Sequence, residues 1–274
     1  MTRGRVGNVL IHVFLAVSAL VVLLPFVWVF FGAFKTTAEI LRNPSAVFPE
    51  SFTMENFVTL FTERHFGVFL RNSLIVTTTI MLTNLVFGSM AGYALDKLSF
   101  RLKRLVMGSV LVMLMIPYIA IFVPQFIIIV KLGLVDTIPG LFLPNVVLPI
   151  SVFIVRQASI AVPDELIVAA RVEGASEFRI FTSIFLPLIR PSMATVAILT
   201  FLTSWNYFLW PLVVAQSQDM YTLPVGLAIV TQAADVLDFG LLLSGALLLL
   251  LPVLVVFLVL QKYFVQGIAT TGLK

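Results

Sequence analysis

The stretch 9–34, which reads VLIHVFLAVSALVVLLPFVWVFFGAF, contains no Asp, Glu, Lys or Arg. A bilayer hydrocarbon core about 30 Å thick is crossed by about 20 helical residues, so this stretch is long enough to span a membrane. Arg3 and Arg5 precede it, as basic residues precede a secretory signal. The stretch is longer than a signal hydrophobic region, however, and no small-x-small cleavage site follows it. It therefore predicts an uncleaved first membrane span.

Five more apolar stretches follow along the chain. No Asp, Glu, Lys or Arg interrupts their interiors, although Arg71 and Arg156 lie near the ends of two of them. Membrane-spanning strands would instead be short and alternate in polarity. The sequence thus predicts an all-α integral membrane protein with six transmembrane helices. The predicted spans are 9–34, 69–95, 105–130, 139–159, 191–215 and 239–260.

The composition excludes a soluble globular protein. Of the 274 residues, 60% are hydrophobic and only 11% are charged, and the mean hydropathy is +1.11. Soluble chains carry about 25% charged residues. The absence of cysteine excludes disulfides and cysteine metal sites, and His12 and His65 have no partner at metal-ligand spacing. We interpret the pI of about 9.6 as a sign of basic cytoplasmic loops rather than of nucleic-acid binding.

The distribution of basic residues predicts the orientation. If the N-terminus is cytoplasmic, 12 of the 17 Lys and Arg residues fall in inside segments and 5 fall outside. Cytoplasmic loops carry the excess of Lys and Arg, so both termini are expected in the cytoplasm. The segments 35–68 and 216–238 then become long outer loops. The five outside basic residues are Lys35, Arg42, Arg64, Arg71 and Lys131.

The largest inside loop has the punctuation of two helices. Pro163 is followed by Asp164 and Glu165, a typical helix start, and Gly174 stands where that helix should end. A glycine there allows a sharp turn that other residues resist. The segment 160–188 is therefore predicted to form a helix, a turn and a second helix at the cytoplasmic surface. From composition alone, an interfacial amphipathic hairpin and a docking knuckle are both open.

The residues of this loop carry a family resemblance. The sequence VPDELIVAARVEGASEFRIFTSIFLPLIRP at 162–191 resembles the cytoplasmic loop of ABC importer permeases, in which Glu-Ala-Ala, three residues and Gly precede Ile-x-Leu-Pro. The fragments FKTTAEI, FTMENF, RNSLIV, TSWNYFLWPLV, YTLPVGL and QKYFVQGIATTGLK resemble the carbohydrate-uptake branch. Within that branch, the chain is similar to the shorter permease partner of the maltose and glycerol-phosphate type systems.

The resemblance implies a type I ABC importer permease fold and a mechanism. One such chain pairs with a second homologous permease, two ATPase subunits and an extracellular or periplasmic solute-binding protein in a bacterial-type inner membrane, with membrane lipid around it and no nucleic acid. The partner ATPase uses ATP and Mg, and this chain, which lacks a Gly-x-x-x-x-Gly-Lys-Ser/Thr sequence, is expected to bind no cofactor and to be no enzyme. The residues expected to couple to the ATPase are Glu165, Val168, Ala169, Ala170, Glu173, Gly174 and Ala175.

One position departs from the family motif. The motif Glu falls on Val168, and in the family that Glu is expected to help fix contact with the ATPase. Glu165, about 60° round the helix, is one candidate replacement. The alternative is that Val168 packs into a more apolar groove of the partner.

The solute pathway is expected among polar and aromatic residues within the spans. An amide beside an aromatic ring suits a sugar, which offers hydroxyls and an apolar ring face. Helix-to-helix hydrogen bonding is the competing interpretation for the amides, and interfacial anchoring for the aromatic residues. Disaccharides, oligosaccharides, amino sugars, glycerol phosphate and phosphodiesters all remain open. The expected pathway residues are Asn84, Asn145, Trp205, Asn206 and Tyr207.

Two other classes of function compete with the importer interpretation. An ion-coupled secondary transporter often carries acidic or basic groups inside its spans, and the interiors of these spans carry none. An intramembrane enzyme would need His-Glu-x-x-His or paired aspartates at depth, and neither motif is present.

Overall fold

The computed structural model describes residues 3–232 and 238–271. About 79% of the chain is helical, and no strand occurs in these described ranges. The predicted all-α membrane fold is confirmed. In chain order the α-helices are α1 Arg3–Gly32, α2 Thr37–Arg42, α3 Glu55–Thr62, α4 Phe66–Thr83, α5 Ser89–Lys97, α6 Lys103–Met115, α7 Tyr118–Lys131, α8 Ile138–Phe142, α9 Pro149–Ile160, α10 Asp164–Val172, α11 Glu177–Ile180, α12 Leu186–Leu188, α13 Arg190–Trp205, α14 Leu209–Val214, α15 Leu223–Gln232 and α16 Phe239–Thr271.

Short helical turns of other types join several of these helices. A π-helical turn, Asn84–Gly88, links α4 to α5, and a second, Phe181–Phe185, links α11 to α12. There are also two 3₁₀ turns. Leu143–Asn145 follows α8, and Gln218–Met220 precedes α15. The predicted outer loop 216–238 therefore contains helix α15, and its residues 233–237 lie outside the described part of the chain.

Three helices are each long and apolar enough to cross a membrane, and three bent pairs of helices pass the same test together. The single helices are Leu10–Gly32, Phe66–Lys97 and Phe239–Val259. Counting each bent pair as one span gives six. The pairs are Lys103–Met115 with Tyr118–Lys131 (107°), Ile138–Asn145 with Pro149–Ile160 (41°) and Glu177–Leu188 with Arg190–Trp205 (84°).

Prolines explain the break after α6 and the break before α9. Ile116 has ψ 122° and Leu148 has ψ 134°, both extended, and each precedes a proline, which disfavours helical backbone in the residue before it. A further break separates α13, which ends at Trp205, from α14, which begins at Leu209. Pro211 in the first turn of α14 has no N–H to bond the carbonyl of Tyr207. The predicted spans 105–130, 139–159 and 191–215 are therefore interrupted rather than straight.

The chain divides into two compact units. The first comprises Met1–Gly67 and Gly226–Pro252. Within it, the buried Asn56 side chain donates to the carbonyls of Ala33 (3.1 Å) and Lys35 (2.8 Å) and so fixes the turn that follows α1. Ser244 Oγ donates to the same Ala33 carbonyl at 2.7 Å.

The second unit comprises Val68–Val225 and Val253–Lys274 and contains both candidate sites. Its centre is the close crossing of α5 and α9, because a Cβ added at Gly92 would lie 2.7 Å from Val155 Cβ and 2.9 Å from the Arg156 nitrogen. Only a glycine permits this approach. An apolar cluster extends from the crossing to α10 and α11, and its buried members include Tyr93, Val155, Ile167, Ile180, Phe181 and Phe185.

Candidate functional site

The first candidate site is the coupling segment, which we define as α10, the turn at Gly174 and α11. Helix α10 presents two different faces. Ile167 and Ala170 are 1% and 7% exposed and belong to the apolar cluster of the second unit, so they anchor the helix to the rest of the chain. Ala170, one of the expected coupling residues, packs inside this chain. Ala175 is half-buried against the same cluster.

The rest of α10 is exposed and carries both apolar and acidic residues. Val168 is 52% exposed, and Glu165, Ala169 and Glu173 are exposed with it. The residues Leu166, Val172 and Phe178 add further exposed apolar surface. Exposed apolar residues clustered on one short segment are typical of a protein contact.

Gly174 makes the reversal between the two helices. Its φ of +83° lies in the left-handed region, as its position after the first helix predicted. The Glu173 N–H donates to the Ala169 carbonyl and the Ala175 N–H to the Ala170 carbonyl, both at 3.0 Å, which closes the end of α10. A Cβ at Gly174 would meet no atom within 4 Å. The glycine is therefore required by its backbone conformation and not by lack of space.

One set of polar contacts joins the start of α10 to the end of α5. The side chain of Lys97 is 4% exposed, and its Nζ lies 2.5 Å from Asp164 Oδ1 and 3.2 Å from Asp96 Oδ2. The same Nζ donates to the Val162 carbonyl at 2.7 Å. The hydrogen bond from Lys97 holds the pKa of the Asp164 carboxyl below its usual value. Asp96 also accepts a hydrogen bond from the buried Ser159 Oγ at 2.8 Å.

A second set joins the end of α10 to α5 and α11. The Arg171 guanidinium pairs with the Glu177 carboxylate and also donates to the Lys97 carbonyl at 3.2 Å. The Tyr93 hydroxyl donates to the other oxygen of Glu177 at 2.9 Å. The Tyr93 ring packs on Phe181 and Phe185, with centroids 5.4 and 4.8 Å away. Neither set was found by sequence reasoning, because its members lie up to 84 residues apart.

The second candidate site is a cavity of about 330 Å³ between α4, α7, α9 and α13. Tyr118 and Tyr207 both line it and pack against each other, with ring centroids 5.8 Å apart. The Tyr118 hydroxyl and the Asn145 side-chain nitrogen are buried without a well-aligned hydrogen bond to any described residue. No charged residue of the described chain lines the cavity. Its lining comprises Ile80, Tyr118, Asn145, Leu148, Ile150, Leu199, Thr200, Thr203, Ser204 and Tyr207.

Of the five expected pathway residues, Asn145 and Tyr207 line the cavity and three do not. Asn84 is fully buried and binds the break that precedes α9, donating to the Asn145 carbonyl at 2.8 Å and accepting from the Leu148 N–H at 2.7 Å. Trp205 is 1% exposed and stacks on Phe201, outside the lining.

Asn206, the remaining expected residue, is exposed and donates to the Leu202 carbonyl at 2.8 Å. Sequence reasoning overlooked Tyr118, Thr200 and Thr203. The hydroxyl residues at 200, 203 and 204 repeat at helical spacing and could have indicated one polar face.

The comparisons with known proteins agree on one family. A sequence model described as "Binding-protein-dependent transport system inner membrane component" matches residues 84–270. The arabinooligosaccharide transport permease AraQ of Halalkalibacterium halodurans is 38% identical over 94% of each chain. The lactose transport permease LacG of Rhizobium radiobacter is 31% identical over 97% of this chain and 96% of its own.

A solved structure shares the fold. A chain of a bacterial ABC transporter involved in the import of the acidic polysaccharide alginate superposes with a TM-score of 0.82. The superposition covers 96% of this chain and 98% of the other, at 21% sequence identity.

Proposed function

Because the chain belongs to the family of binding-protein-dependent transport system inner membrane components, we propose that it lines half of the pathway of an importer for a neutral saccharide. The chain is a sugar-transport permease, and hydrolysis of ATP belongs to separate partner subunits. We further propose that it acts in a complex with a second homologous permease and two ATPase subunits that use ATP and Mg, and that an external solute-binding protein delivers the solute.

The exposed face of α10 supports the role of the coupling segment. A mobile loop would transmit little displacement, but α10 is anchored by Ile167 and Ala170 and ends at the fixed turn of Gly174. Its outer face, with Val168 and Ala169, is then the surface that an ATPase subunit would contact. Small and apolar residues there allow close packing.

The cavity supports a neutral solute, and this observation carries the proposal. Its volume lies at the lower end of the range of about 300–1,000 Å³ typical of small-molecule sites. Sugar hydroxyls could pair with the Tyr118 hydroxyl and the Asn145 amide, and an apolar ring face could pack against the tyrosines. An anionic solute would lack a counter-charge in the described lining. Relatives named for arabinooligosaccharides, lactose and diacetylchitobiose are consistent with a neutral sugar.

The proposed topology follows from the basic residues. Both termini are cytoplasmic, and the loops 35–68 and 216–238 face the binding protein. The C-terminal Lys274 counts toward this inference by sequence alone, since it lies outside the described residues. A single cysteine at Ser176 in this cysteine-free chain should resist an impermeant reagent added to intact cells.

The test is uptake by the assembled complex from a panel of labelled arabinotriose, lactose, diacetylchitobiose and glycerol 3-phosphate. We expect import of a neutral sugar and none of the phosphate. Asn145→Leu should lower that import about two- to ten-fold, since one hydrogen bond is worth about 0.5–1.5 kcal/mol. Its amide nitrogen has no well-aligned partner, so folding should be unaffected.

Asn206→Leu is the matched control, because Asn206 is exposed and lies outside the lining. Its import should stay near that of the unaltered complex. Import of glycerol 3-phosphate alone, or equal losses in the two variants, would overturn the assignment of the cavity.

A further inference from the structure

We propose that Lys97 and Tyr93 are positioning residues that lock the coupling segment to the end of α5. Displacement of α10 then moves the helix Phe66–Lys97 directly, and not only through the connecting chain. This inference rests on the proposed coupling role of the segment around Gly174.

The two ties hold α10 at both of its ends. Lys97 Nζ binds Asp164 in the first turn, and the Lys97 carbonyl accepts from Arg171 in the last turn. Seven residues of helix separate these points, a distance of roughly 10 Å at 1.5 Å per residue. A helix held at a single point could pivot, whereas a helix held at two points moves with its support.

The charge of Lys97 makes its tie to α10 strong. The ammonium is almost inaccessible, and its nearby acceptors are two carboxylates and the Val162 carbonyl, although the side chain of Asp164 is 80% exposed. Removing it would leave Asp96 partly buried with Ser159 as a remaining partner. Charge-assisted hydrogen bonds are stronger than hydrogen bonds between neutral groups.

Tyr93, on the same helix, adds a further contact near the end of α10. One helical turn before Lys97, its hydroxyl reaches Glu177 at the start of α11, and Glu177 in turn pairs with Arg171. The ring is 4% exposed within the apolar cluster. The hydroxyl can therefore be removed while the packing of the ring remains.

The helix held in this way also reaches the cavity. Ile80 lines the cavity and lies on the same continuous helical span, Phe66–Lys97, as both positioning residues. The π-helical turn Asn84–Gly88 lies between them, and Asn84 bonds it to the break before α9. Displacement of the coupling segment therefore has a direct mechanical route to one wall of the cavity.

The test compares Lys97→Met and Tyr93→Phe in the assembled complex. Three quantities are measured: ATPase subunits that co-purify, ATP hydrolysis with and without sugar-loaded binding protein, and uptake of the neutral sugar from the panel that the unaltered complex imports fastest. We expect normal co-purification and unstimulated hydrolysis in both variants. Uptake and stimulation should fall about ten-fold in Lys97→Met and about three-fold in Tyr93→Phe, in line with a charged and a neutral bond.

Lys97→Arg should recover part of the loss, because it restores the charge. The double variant Glu177→Gln, Tyr93→Phe should lose less uptake than the combined losses of the two single variants, because each single substitution alters the same hydrogen bond. Arg104→Met is the control, since Arg104 is an exposed basic residue of the same inside loop. It should match the unaltered complex.

Two outcomes would overturn the inference. Unchanged stimulation in both Lys97→Met and Tyr93→Phe would show that α5 is not driven by these ties. Loss of co-purification in Tyr93→Phe would show a docking role instead. Failure of the proposed function is distinguishable, because Gly174→Val would then also leave uptake unchanged.

Discussion

The coupling segment and the cavity lie in the same unit but are built in opposite ways. In the coupling segment, the buried charge of Lys97 is paired and the ends of α10 are bonded to neighbouring elements. In the cavity, the Tyr118 hydroxyl and the Asn145 amide nitrogen are buried without well-aligned bonds. A solute that offered better-aligned hydrogen bonds to these two buried groups would therefore be favoured. In the function that we propose, the first region transmits movement and the second receives a solute.

Gly92→Leu should disrupt both the coupling segment and the cavity, because both regions depend on the crossing of α5 and α9. A Cβ at Gly92 already lies 2.7 Å from Val155 Cβ and 2.9 Å from a backbone nitrogen. The helices would have to separate, and overpacking of this kind destabilises a protein by about 1–3 kcal/mol or more. We expect little monodisperse complex after purification.

Gly108→Leu is the control for that substitution. Gly108 is also helical, but a Cβ there meets nothing within 4 Å. Its yield should equal that of the unaltered complex. Equal yields from Gly92→Leu would show that the crossing can open without loss of the fold.

The parts that sequence reasoning predicted are those fixed by local chemistry. Pro163, the acidic first turn and Gly174 act within a few residues, so the helix, turn and helix of the coupling segment could be predicted. From sequence alone Asn84 is expected in the pathway, because neighbouring residues do not show which group an amide within a span hydrogen-bonds. Its carbonyl partner, Asn145, is 61 residues away in the sequence. The two ties to α5 were missed for the same reason.

Gly174→Val should sharpen the comparison, since it alters only the coupling segment. The open space around Gly174 means that the penalty comes from the φ of +83°, about 1–2 kcal/mol for a residue with a Cβ. We expect normal insertion, weaker association of the ATPase and uptake lowered about five- to thirty-fold.

Gly174→Asn separates conformation from bulk. Asparagine tolerates the left-handed region, so this variant should keep most of its uptake. Both variants can be followed by the same co-purification and uptake measurements. Equal defects in Val and Asn would instead indicate that any side chain at this position obstructs the partner.

Val168→Glu should have the smallest effect, because Val168 is 52% exposed and the free chain can hydrate a carboxylate there. The variant restores the acidic residue of the family motif. If Val168 packs into an apolar groove of the ATPase subunit, the carboxylate would be buried without a partner, which costs several kcal/mol when burial is complete. Partial exposure reduces that cost, so we expect association about three- to ten-fold weaker, measured by titrating purified ATPase onto the permease pair. Val168→Ile keeps the apolar surface and should bind normally. Tighter association in Val168→Glu would show that the partner retains a basic contact for this position and that Glu165 only partly serves it.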